Sequence, residues 1–494
     1  MGDPFVNLQF CLTERIKNGE MALVLKRIES LEELRNYILH WLRMKKTNVF
    51  GLVLLIIFVL VLLSGGCQLI EDDQTNDTSD STDTPDNADT CTVLEKNRFV
   101  YDIMQGVYLW VDQMPVVDHT EYASPANLLE ALRYKDLDKW SYITPKVEYD
   151  QYFNEGQTIG IGIGYRYDGT DLWIAYVLNN SPAALAGLSR GDRILEINGK
   201  TLQEIVDQEI ENANMGPAEE NVVVNLVVQD TSGETENISL TKSVIMIDTV
   251  LQSTVIEQAG QKIGYLVFMQ FLETSTAELD SAFDTFKAEG VDELILDLRY
   301  NGGGRISVAN HLAKLIAGDR VASTDIFTRY IHNDKLSSQN WNSEFGPQPD
   351  NALGLDRLVV ITTGNTASAS ELVINSLKPY QNEIVLIGDT THGKPVGMYS
   401  FDFCDMVVVP ISFQLQNANW EGEYYSGLPA TCSANDELTR ALGNQEEDSL
   451  QEALFFLENA TCSPTSMTQT GSKMTKRAVQ RFPESGMRKM MGMM

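Results

Sequence analysis

The alternation of hydrophobic and polar positions divides the chain after residue 91 into three segments. Residues 92–153 have the spacing of amphipathic helices and are predicted to form a small helical domain, with one apolar face carrying Phe99, Ile103, Val107 and Trp110. Residues 155–243 contain short alternating strands around one helix start at Ser181-Pro182, where serine caps and proline fits the first turn. Residues 244–460 alternate buried strands with helices, which predicts an α/β core.

Within the third segment, the apolar runs Ile263–Phe268, VDELILDLRY and DRLVVITT are predicted to be buried strands. Helical spacing follows over 307–316 and 370–378. The predicted fold is therefore a multidomain α+β and α/β protein. It has a helical N-terminal domain, a β-rich domain, and a core with a mixed sheet and crossover helices.

An apolar run from Phe50 to Leu63 precedes these segments, with Arg43, Lys45 and Lys46 on its N-terminal side. The run is shorter than the roughly 20 residues that span a bilayer and suits the core of a signal peptide. The small residues that follow it lead to Cys67, an arrangement that resembles a bacterial lipoprotein signal with Cys67 as the lipidated residue. A plain signal peptide or anchor remains the alternative, since Ser64 stands where such signals usually have leucine. Residues 44–67 are thus predicted to be a targeting segment.

Three further stretches flank the targeting segment and the folded segments. Residues 1–43 are either an upstream extension or a cytoplasmic helix, and the sequence leaves both open. Residues 68–91 are acidic and rich in hydroxyl groups, so we expect a disordered tether. The basic, methionine-rich tail over 461–494 is also expected to be disordered. We therefore predict an exported, lipid-anchored protein of a bacterial cell envelope, facing the periplasm or the surface.

Composition excludes several functional classes. The net charge of −32 argues against a nucleic-acid partner, whose phosphates would be repelled. The six cysteines form no C-x-x-C pair and no H-E-x-x-H motif is present, so neither a metal site nor a cofactor is expected. Export permits disulfides, and Cys404 with Cys432 is the best candidate pair because both lie in one region.

The second segment resembles a PDZ domain. The run SPAALAGLSRGDRILEINGK is similar to the helix, turn and strand of that family, and 159–164 matches its glycine-rich loop. The resemblance implies that backbone N–H groups of Ile159, Gly160, Ile161 and Gly162 bind the C-terminal carboxylate of a peptide. Small residues let such donors converge on an anion, and a neighbouring sheet edge accepts a peptide strand.

A turn of small residues after the strand 358–362, GNTASASE, leads into a helix. Such a turn exposes a side chain at a helix N-terminus, where backbone N–H groups stabilise an oxyanion. Either Ser368 or Ser370 is therefore a candidate nucleophile, with the other as a helix cap.

The motifs DLRYNGGG, TGNTASASELV and IGDTTHGKPVG occur in this order behind the PDZ-like segment. Together they resemble the C-terminal processing peptidase, or tail-specific protease, family over residues 92–440. The resemblance implies a serine endopeptidase with Ser368 as nucleophile and Lys394 as general base. It also implies oxyanion donors at Ala369 and Gly303, and an orienting role for Glu371.

Two positions depart from the family pattern. Thr366 stands where a smaller residue is usual, and Met398 stands where some members have an orienting glutamine. Whether Glu371 takes over that orienting role is left open. A lysine base has to be neutral, which requires burial between the apolar flanks of Lys394 to lower its pKa from about 10.4.

Two further motifs could take part in a different chemistry. His392 is an alternative base, because residues two apart on a strand share a face with Lys394. The S-x-x-K pattern at Ser239 and Lys242 is typical of penicillin-binding enzymes, but it lies in a predicted strand, where residues three apart face opposite ways. Asp297 and Arg299 are predicted to be a structural pair.

The sequence thus predicts a protease that captures proteins or peptides through apolar C-termini and cleaves them with a Ser/Lys pair. A catalytically silent peptide-binding protein of the envelope is the alternative. An esterase or amidase would need its serine in a G-x-S-x-G elbow between a strand and a helix. The GLSRG run at 187–191 has that spacing, but it lies inside the PDZ-like run, so this class is not favoured. The residues Trp420, Tyr424 and Tyr425 could line a substrate groove or pack in the core.

Overall fold

The computed structural model describes residues 91–207 and 215–464. The predicted N-terminal extension, the targeting segment with Cys67, nearly all of the acidic tether and most of the C-terminal tail lie outside the described residues. Within the described ranges, no helix combines the length and apolar composition needed to cross a bilayer.

The N-terminal segment is helical as predicted, with α1 (Val93–Val107), α2 (Pro125–Leu132), β1 (Tyr142–Pro145) and α3 (Lys146–Phe153). Thr92 and Glu95 form a capping box that starts α1. The predicted apolar face is half-buried, and Phe99, Ile103 and Trp110 pack against the same cluster as the most buried residues of α1. The helix buries Asn97, Val100 and Met104, while Trp110 lies beyond its end. Val100 and Met104 pack in one cluster with Leu128 and Leu129 of α2.

The second segment is β-rich. Its main sheet has the order β3-β4-β5-β7-β8, with β6 paired to β5, and β2 pairs separately with β9. Ser181 caps the short helix α4 as predicted, since its hydroxyl accepts the Ala184 N–H. The elements are β2 (Gln157–Gly160), β3 (Ile163–Tyr167), β4 (Leu172–Val177), α4 (Pro182–Leu185), β5 (Arg193–Ile197), β6 (Lys200–Thr201), α5 (Leu202–Asp207), β7 (Val223–Gln229), β8 (Thr235–Thr241) and β9 (Ser243–Met246).

The third segment is built on a mixed sheet with the order β10-β11-β12-β15-β16-β21. The β10–β11 pair is antiparallel and the other pairs are parallel, which confirms the predicted mixed α/β core. The strands are β10 (Val250–Gln258), β11 (Gln261–Phe268), β12 (Glu293–Asp297), β15 (Arg357–Thr362), β16 (Glu383–Gly388) and β21 (Cys432–Ser433).

Four helices cover the mixed sheet. Apolar residues of α6 (Ser275–Glu289), α7 (Ile306–Ala317) and α8 (Ala369–Leu377) pack in one core cluster, and those of α9 (Asp448–Asn459) pack in a second. The second cluster also contains Ala175, Tyr176 and Leu178 of the β-rich segment. The mixed sheet is therefore buried on both faces, as its uninterrupted apolar strands require.

Two further sheets stand beside this core. One has the order β14-β13-β20-β17, and in the other β19 joins β1 of the helical segment to β18. Their strands are β13 (Ile326–His332), β14 (Trp341–Glu344), β17 (Val396–Met398), β18 (Phe401–Phe403), β19 (Met406–Val409) and β20 (Ile411–Gln416). Through its pairing with β19, strand β1 thus connects the helical segment to the part of the core that follows Lys394 in the chain.

The predicted Cys404–Cys432 pair is wrong. Cys404 bonds Cys91 and Cys432 bonds Cys462. Cys404 sits in the turn between β18 and β19, whereas Cys432 lies in β21 at the edge of the mixed sheet, so the two belong to different sheets. The first four residues of the predicted tail, 461–464, are thereby part of the folded body.

A buried cluster of charges links the β-rich segment to the core. Arg299 is fully buried and contacts Asp297 at 2.8 Å, Glu447 at 2.7 Å and Asp436 at 3.0 Å. Arg190 of the β-rich segment binds the same Asp436 at 2.8 Å. The predicted Asp297–Arg299 pair is thus present, as part of a larger arrangement that we call the Asp436 cluster, comprising Asp436, Asp297, Glu447, Arg190, Arg299 and Arg166.

Candidate active site

The candidate nucleophile lies between β15 and α8. Ser368 has φ +56° and ψ −114°, a conformation that residues with a side chain rarely adopt. Such strain persists only where the surroundings enforce it, and it concentrates at functional positions. Ser368 lines a cavity of about 360 Å³. Ser370 is fully buried, and its hydroxyl donates to the Asn301 carbonyl at 3.0 Å. Of the two candidate serines, the structure therefore places Ser368 at the cavity.

The Ser368 turn is held against the glycine-rich loop at 301–304. The Ala367 N–H donates to the Asn301 carbonyl at 3.1 Å. The Thr366 hydroxyl donates to the Leu298 carbonyl at 2.8 Å and accepts the Thr363 N–H at 3.0 Å. The hydroxyl of Thr366, which looked like a mild departure in sequence, thus fastens the turn.

Gly303 makes the close approach between loop and turn possible. Its φ is +106°, and a Cβ at this position would lie 2.8 Å from the Ser368 Cβ and 2.9 Å from the Ala369 N. The Ala369 N–H begins α8 at the cavity, where it was predicted to bind an oxyanion. The Gly303 N–H donates to Asn301 Oδ1 at 2.9 Å. The oxyanion role predicted for Gly303 therefore requires this bond to be shared or exchanged.

Lys394 lines the same cavity as Ser368. Its side chain is buried, and burial lowers the pKa of Lys394 to about 8, although Asp138 and Glu371 pull it upward. The Nζ atom contacts Met398 Sδ at 3.4 Å and lies 6.0 Å from the centre of the Trp140 ring. A thioether is a weak acceptor, so this contact does little to favour the ammonium form. These surroundings favour the neutral form that a general base needs, compared with a lysine in water.

Glu371 connects the nucleophile turn to the lysine segment. Its carboxylate accepts the backbone N–H groups of Ser368 at 2.9 Å, Gly393 at 2.6 Å and Lys394 at 2.8 Å, and the Thr391 hydroxyl at 2.5 Å. Burial outweighs these four hydrogen bonds, which act to lower the pKa, so the pKa of Glu371 lies above its usual value. Glu371 therefore positions the backbones of both segments, and on Lys394 it bonds the backbone N–H.

His392 has its ring nitrogens occupied away from the cavity. Nε2 lies 3.1 Å from the Trp140 Nε1 and Nδ1 lies 3.2 Å from the Gly364 carbonyl. An indole N–H is only a donor and a carbonyl is only an acceptor, so the ring is neutral with its lone pair directed at Trp140. His392 is also outside the cavity lining. This geometry disfavours it as the base.

The helical segment contributes groups that the sequence did not reveal. Asp138, whose charge acts on Lys394, is buried and accepts the Tyr108 hydroxyl at 2.8 Å and the Trp140 N–H at 2.9 Å. Tyr142, Tyr149 and Phe153 line the cavity. These residues lie more than 200 positions before Lys394 in the chain, and no local motif marks them.

The predicted carboxylate-binding residues lie apart from this cavity. Ile159 and Gly160 belong to β2 and pair with Val244 and Ser243 of β9. The carbonyls of Ile161 and Gly162 accept the N–H groups of Ala183 and Leu178. Gly162 has φ +84°, and a Cβ there would collide with Ser181. The loop is thus packed against the start of α4, and none of these residues lines the cavity.

Other candidates have structural surroundings. Ser239 lies on β8 and bonds Asn225, while the Lys242 ammonium donates to the carbonyls of Gly216 and Pro217. The S-x-x-K pattern therefore spans the end of a strand. Trp420, Tyr424 and Tyr425 do not line the cavity. Among the described residues, the one group close enough to hold a metal is Cys432, Glu452 and Cys462, and its two sulfurs form a disulfide.

Three segments of the chain are similar to known protein families. Residues 262–419 match peptidase family S41, residues 95–142 match the peptidase S41 N-terminal domain, and residues 151–229 match the PDZ domain. The predicted relationship to C-terminal processing peptidases is thereby confirmed, as is the PDZ resemblance.

Similar proteins with known names are also C-terminal processing proteases. The carboxyl-terminal-processing protease of Synechocystis sp. is 30% identical over 249 residues, covering 50% of this chain and 55% of the relative. The chloroplastic C-terminal processing peptidase of Tetradesmus obliquus is 27% identical over 264 residues, covering 51% and 54%. The chain thus matches about half the length of these relatives. A crystal structure titled as a putative S41 protease from Bacteroides fragilis shares the fold, with a TM-score of 0.59, 24% identity, and coverage of 74% of this chain and 97% of that one.

Proposed function

The chain contains a peptidase S41 domain behind an S41 N-terminal domain and a PDZ domain, and on this basis we propose that it is a serine endopeptidase with a Ser368/Lys394 pair. The observation that carries the proposal is the shared cavity. It brings a serine on a strained turn together with a lysine whose pKa is lowered to about 8 by burial.

The proposed reaction begins with neutral Lys394. Its Nζ takes the proton of Ser368 Oγ while Oγ attacks the peptide carbonyl carbon. The negative charge that develops on the carbonyl oxygen is stabilised by the Ala369 N–H and the glycine-rich loop. Lys394 then passes the proton to the departing amine nitrogen, which leaves an ester on Ser368. A water molecule, deprotonated by Lys394, hydrolyses this ester and restores the serine.

Glu371 acts in this proposal as a positioning residue. Its bonds to the backbones of Ser368 and Lys394 hold the two segments at a constant separation. Precise placement of reacting groups contributes several kcal/mol to catalysis, roughly 7–11 in favourable model systems. Glu371 therefore supports the reaction without exchanging a proton with substrate.

The substrate is proposed to enter by its C-terminus. The PDZ domain would bind an apolar C-terminal tail through the loop at 159–162, and the chain upstream of that tail would be cleaved at Ser368. The named relatives come from bacteria and a chloroplast, which agrees with an exported protein. We also propose that Cys67, outside the described residues, carries a lipid anchor, which labelling with a radioactive fatty acid would detect.

The decisive experiment measures cleavage of an unfolded reporter protein that ends in an apolar tail, with the full-length chain as enzyme. We expect Ser368→Ala and Lys394→Ala to reduce the rate by at least about a thousandfold, as removal of either member of a catalytic pair does. Ser239→Ala is the matched control, because this hydroxyl lies on an outer strand of the β-rich domain.

Three outcomes would contradict parts of the proposal. Cleavage that survives Ser368→Ala excludes this serine as the nucleophile. Activity that survives Lys394→Ala but is lost in His392→Ala makes His392 the base. If no variant cleaves the reporter and all bind its tail equally, the chain is a peptide-binding scaffold.

A further inference from the structure

One face of the small sheet β14-β13-β20-β17 is directed at the candidate active site. Trp341 of β14 is the register partner of Tyr330 of β13, and Tyr330 is in turn the partner of Leu415 of β20. Phe413 stands two residues before Leu415 and so shares its face. All four residues line the cavity that contains Ser368 and Lys394. We call this set, Trp341, Tyr330, Phe413 and Leu415, the aromatic wall.

The aromatic wall is packed into a continuous apolar surface. The Tyr330 ring stacks on Trp341 with centroids 4.1 Å apart and an angle of 14°. Phe413 lies 4.7 Å from Tyr330 on its other side. Strand β17 has glycine at 397 because a Cβ there would lie 2.0 Å from the Phe413 ring. Tyr330, Phe413 and Leu415 are thus held by close packing, and Trp341 is the member of the wall with a large exposed surface.

Trp341 forms the outer end of this wall. It lies on the edge strand of the sheet, and 48% of its surface is exposed. An apolar side chain that entered the cavity would cover part of this exposed indole. Burial of two apolar surfaces against each other is the main source of binding energy in such pockets.

The small number of charged residues in the cavity lining also favours an apolar side chain. Its charged lining residues are Lys394 and Arg305, with no carboxylate. Arg305 is already paired, since its Nε lies 3.2 Å from Glu273 Oε2 and its Nη2 lies 2.5 Å from Asn154 Oδ1. In the proposed reaction Lys394 is neutral when it accepts the serine proton. A charged substrate side chain would therefore lose its hydration in the reactive state without gaining an ion pair.

We propose that the aromatic wall is the primary specificity pocket of the peptidase and selects a large apolar side chain next to the scissile bond. The inference rests on the proposed function, because it takes Ser368 as the nucleophile. It adds a property that the family resemblance does not supply, namely the size and chemistry of the residue at the cleavage point.

The test uses two series of internally quenched peptides, one varied directly before the cleaved bond and the other directly after it, with Phe, Leu, Ala or Asp. For the full-length chain we expect kcat/KM in one series to favour Phe and Leu over Ala by about ten- to a hundredfold, and Asp to be the poorest. Trp341→Ala should reduce the Phe/Ala ratio at least about fivefold, and Trp341→Phe should restore most of it.

Trp420→Ala is the matched control. Trp420 is also an exposed tryptophan, but it stacks on Arg329 at 3.9 Å and is not part of the cavity. Cleavage that depends on Ser368 but shows no preference for Phe or Leu in either series would overturn the inference and leave the proposed function in place.

If no peptide is cleaved, the proposed function fails and binding decides the inference. Tryptophan fluorescence of the Ser368→Ala chain would then be titrated with the same peptides. Tighter binding of the Phe peptide than of the Ala peptide, lost in Trp341→Ala, sustains the pocket; equal binding overturns it.

Discussion

Two sites in this molecule bury charge, and they do so with opposite results. In the Asp436 cluster, three arginines face three carboxylates. Burial alone would raise the pKa of Asp436, but Arg190, Arg299 and Arg166 outweigh it and hold that pKa far below its usual range. At Lys394, burial prevails and the pKa falls to about 8.

The difference lies in the partners and not in the depth. The Lys394 Nζ contacts a thioether, and the carboxylates that act on it, Asp138 and Glu371, are occupied by other donors. A buried group keeps its charge when it has opposite charges and good hydrogen bonds, and loses it when it has neither. The first arrangement links the β-rich segment to the core, and the second favours the neutral lysine that the proposed reaction uses. Three substitutions would break or sharpen this contrast.

The largest effect is expected from Asp436→Asn, which leaves the buried guanidinium groups of Arg190 and Arg299 short of a counter-charge. Removing one partner of a buried ion pair costs about 3–5 kcal/mol in the free energy of unfolding. Urea denaturation at pH 7 would measure it. Because the folded-state pKa is lowered, the stabilisation is present above the unfolded value near 4 and is lost as the pH falls towards the folded value.

Asp402→Asn is the control for that substitution. Asp402 pairs with Lys146 at 2.5 Å, but its side chain is 54% exposed. Exposed pairs contribute roughly 0–1 kcal/mol. If both substitutions lowered the free energy of unfolding equally, the Asp436 cluster would contribute no more to stability than an exposed ion pair.

Lys394→Met is expected to abolish activity and yet stabilise the fold. The native lysine is charged in the unfolded chain up to pH 10.5 but only up to about pH 8 when folded. The shift corresponds to about 3 kcal/mol of destabilisation below pH 8, which methionine of similar length removes. The gain over the native chain should shrink between pH 8 and 10.5, where native stability rises with pH.

Lys135→Met provides the comparison for this stability measurement. Lys135 is 64% exposed and pairs with Glu130 at 3.2 Å, so its replacement should change stability by less than about 0.5 kcal/mol. A lower free energy of unfolding in Lys394→Met at pH 7 would contradict the expectation that burial of the charged lysine destabilises the native chain.

The smallest effect concerns the sulfur beside the lysine. The native pH profile of kcat/KM should rise with a midpoint near 8, because only neutral Lys394 accepts the serine proton. Met398→Gln offers the ammonium a stronger acceptor and should move that midpoint upward by about one pH unit. Met398→Leu has no acceptor and should not move it upward. Identical midpoints in the Gln and Leu variants would show that the side chain at position 398 does not influence the pKa of Lys394.

Local patterns were enough to predict much of the fold. The apolar runs became β11, β12 and β15, and helical spacing marked α7 and α8 to within about one residue. The turn that carries Ser368 was visible because small residues follow a buried strand directly. The elements were predictable because the signals lie in consecutive residues.

Features that depend on distant segments were not predictable. Trp140 and His392 are 252 positions apart yet hydrogen-bond beside Lys394. The aromatic wall exists only because strands β14, β13 and β20 pair in one register, which their separate sequences do not specify. The buried face of α1 was missed for a related reason: Asn97 is inside because it donates to the carbonyls of His119 and Tyr122.

The Cys91–Cys404 bond sets an order of events during synthesis. The two cysteines are separated by 313 positions, so Cys91 leaves the ribosome long before its partner exists. Cys404 lies in the turn between β18 and β19, and β17 next to them ends in Met398, which contacts Lys394. This covalent closure therefore has to wait until residue 404 has been made and both cysteines are in an oxidising environment.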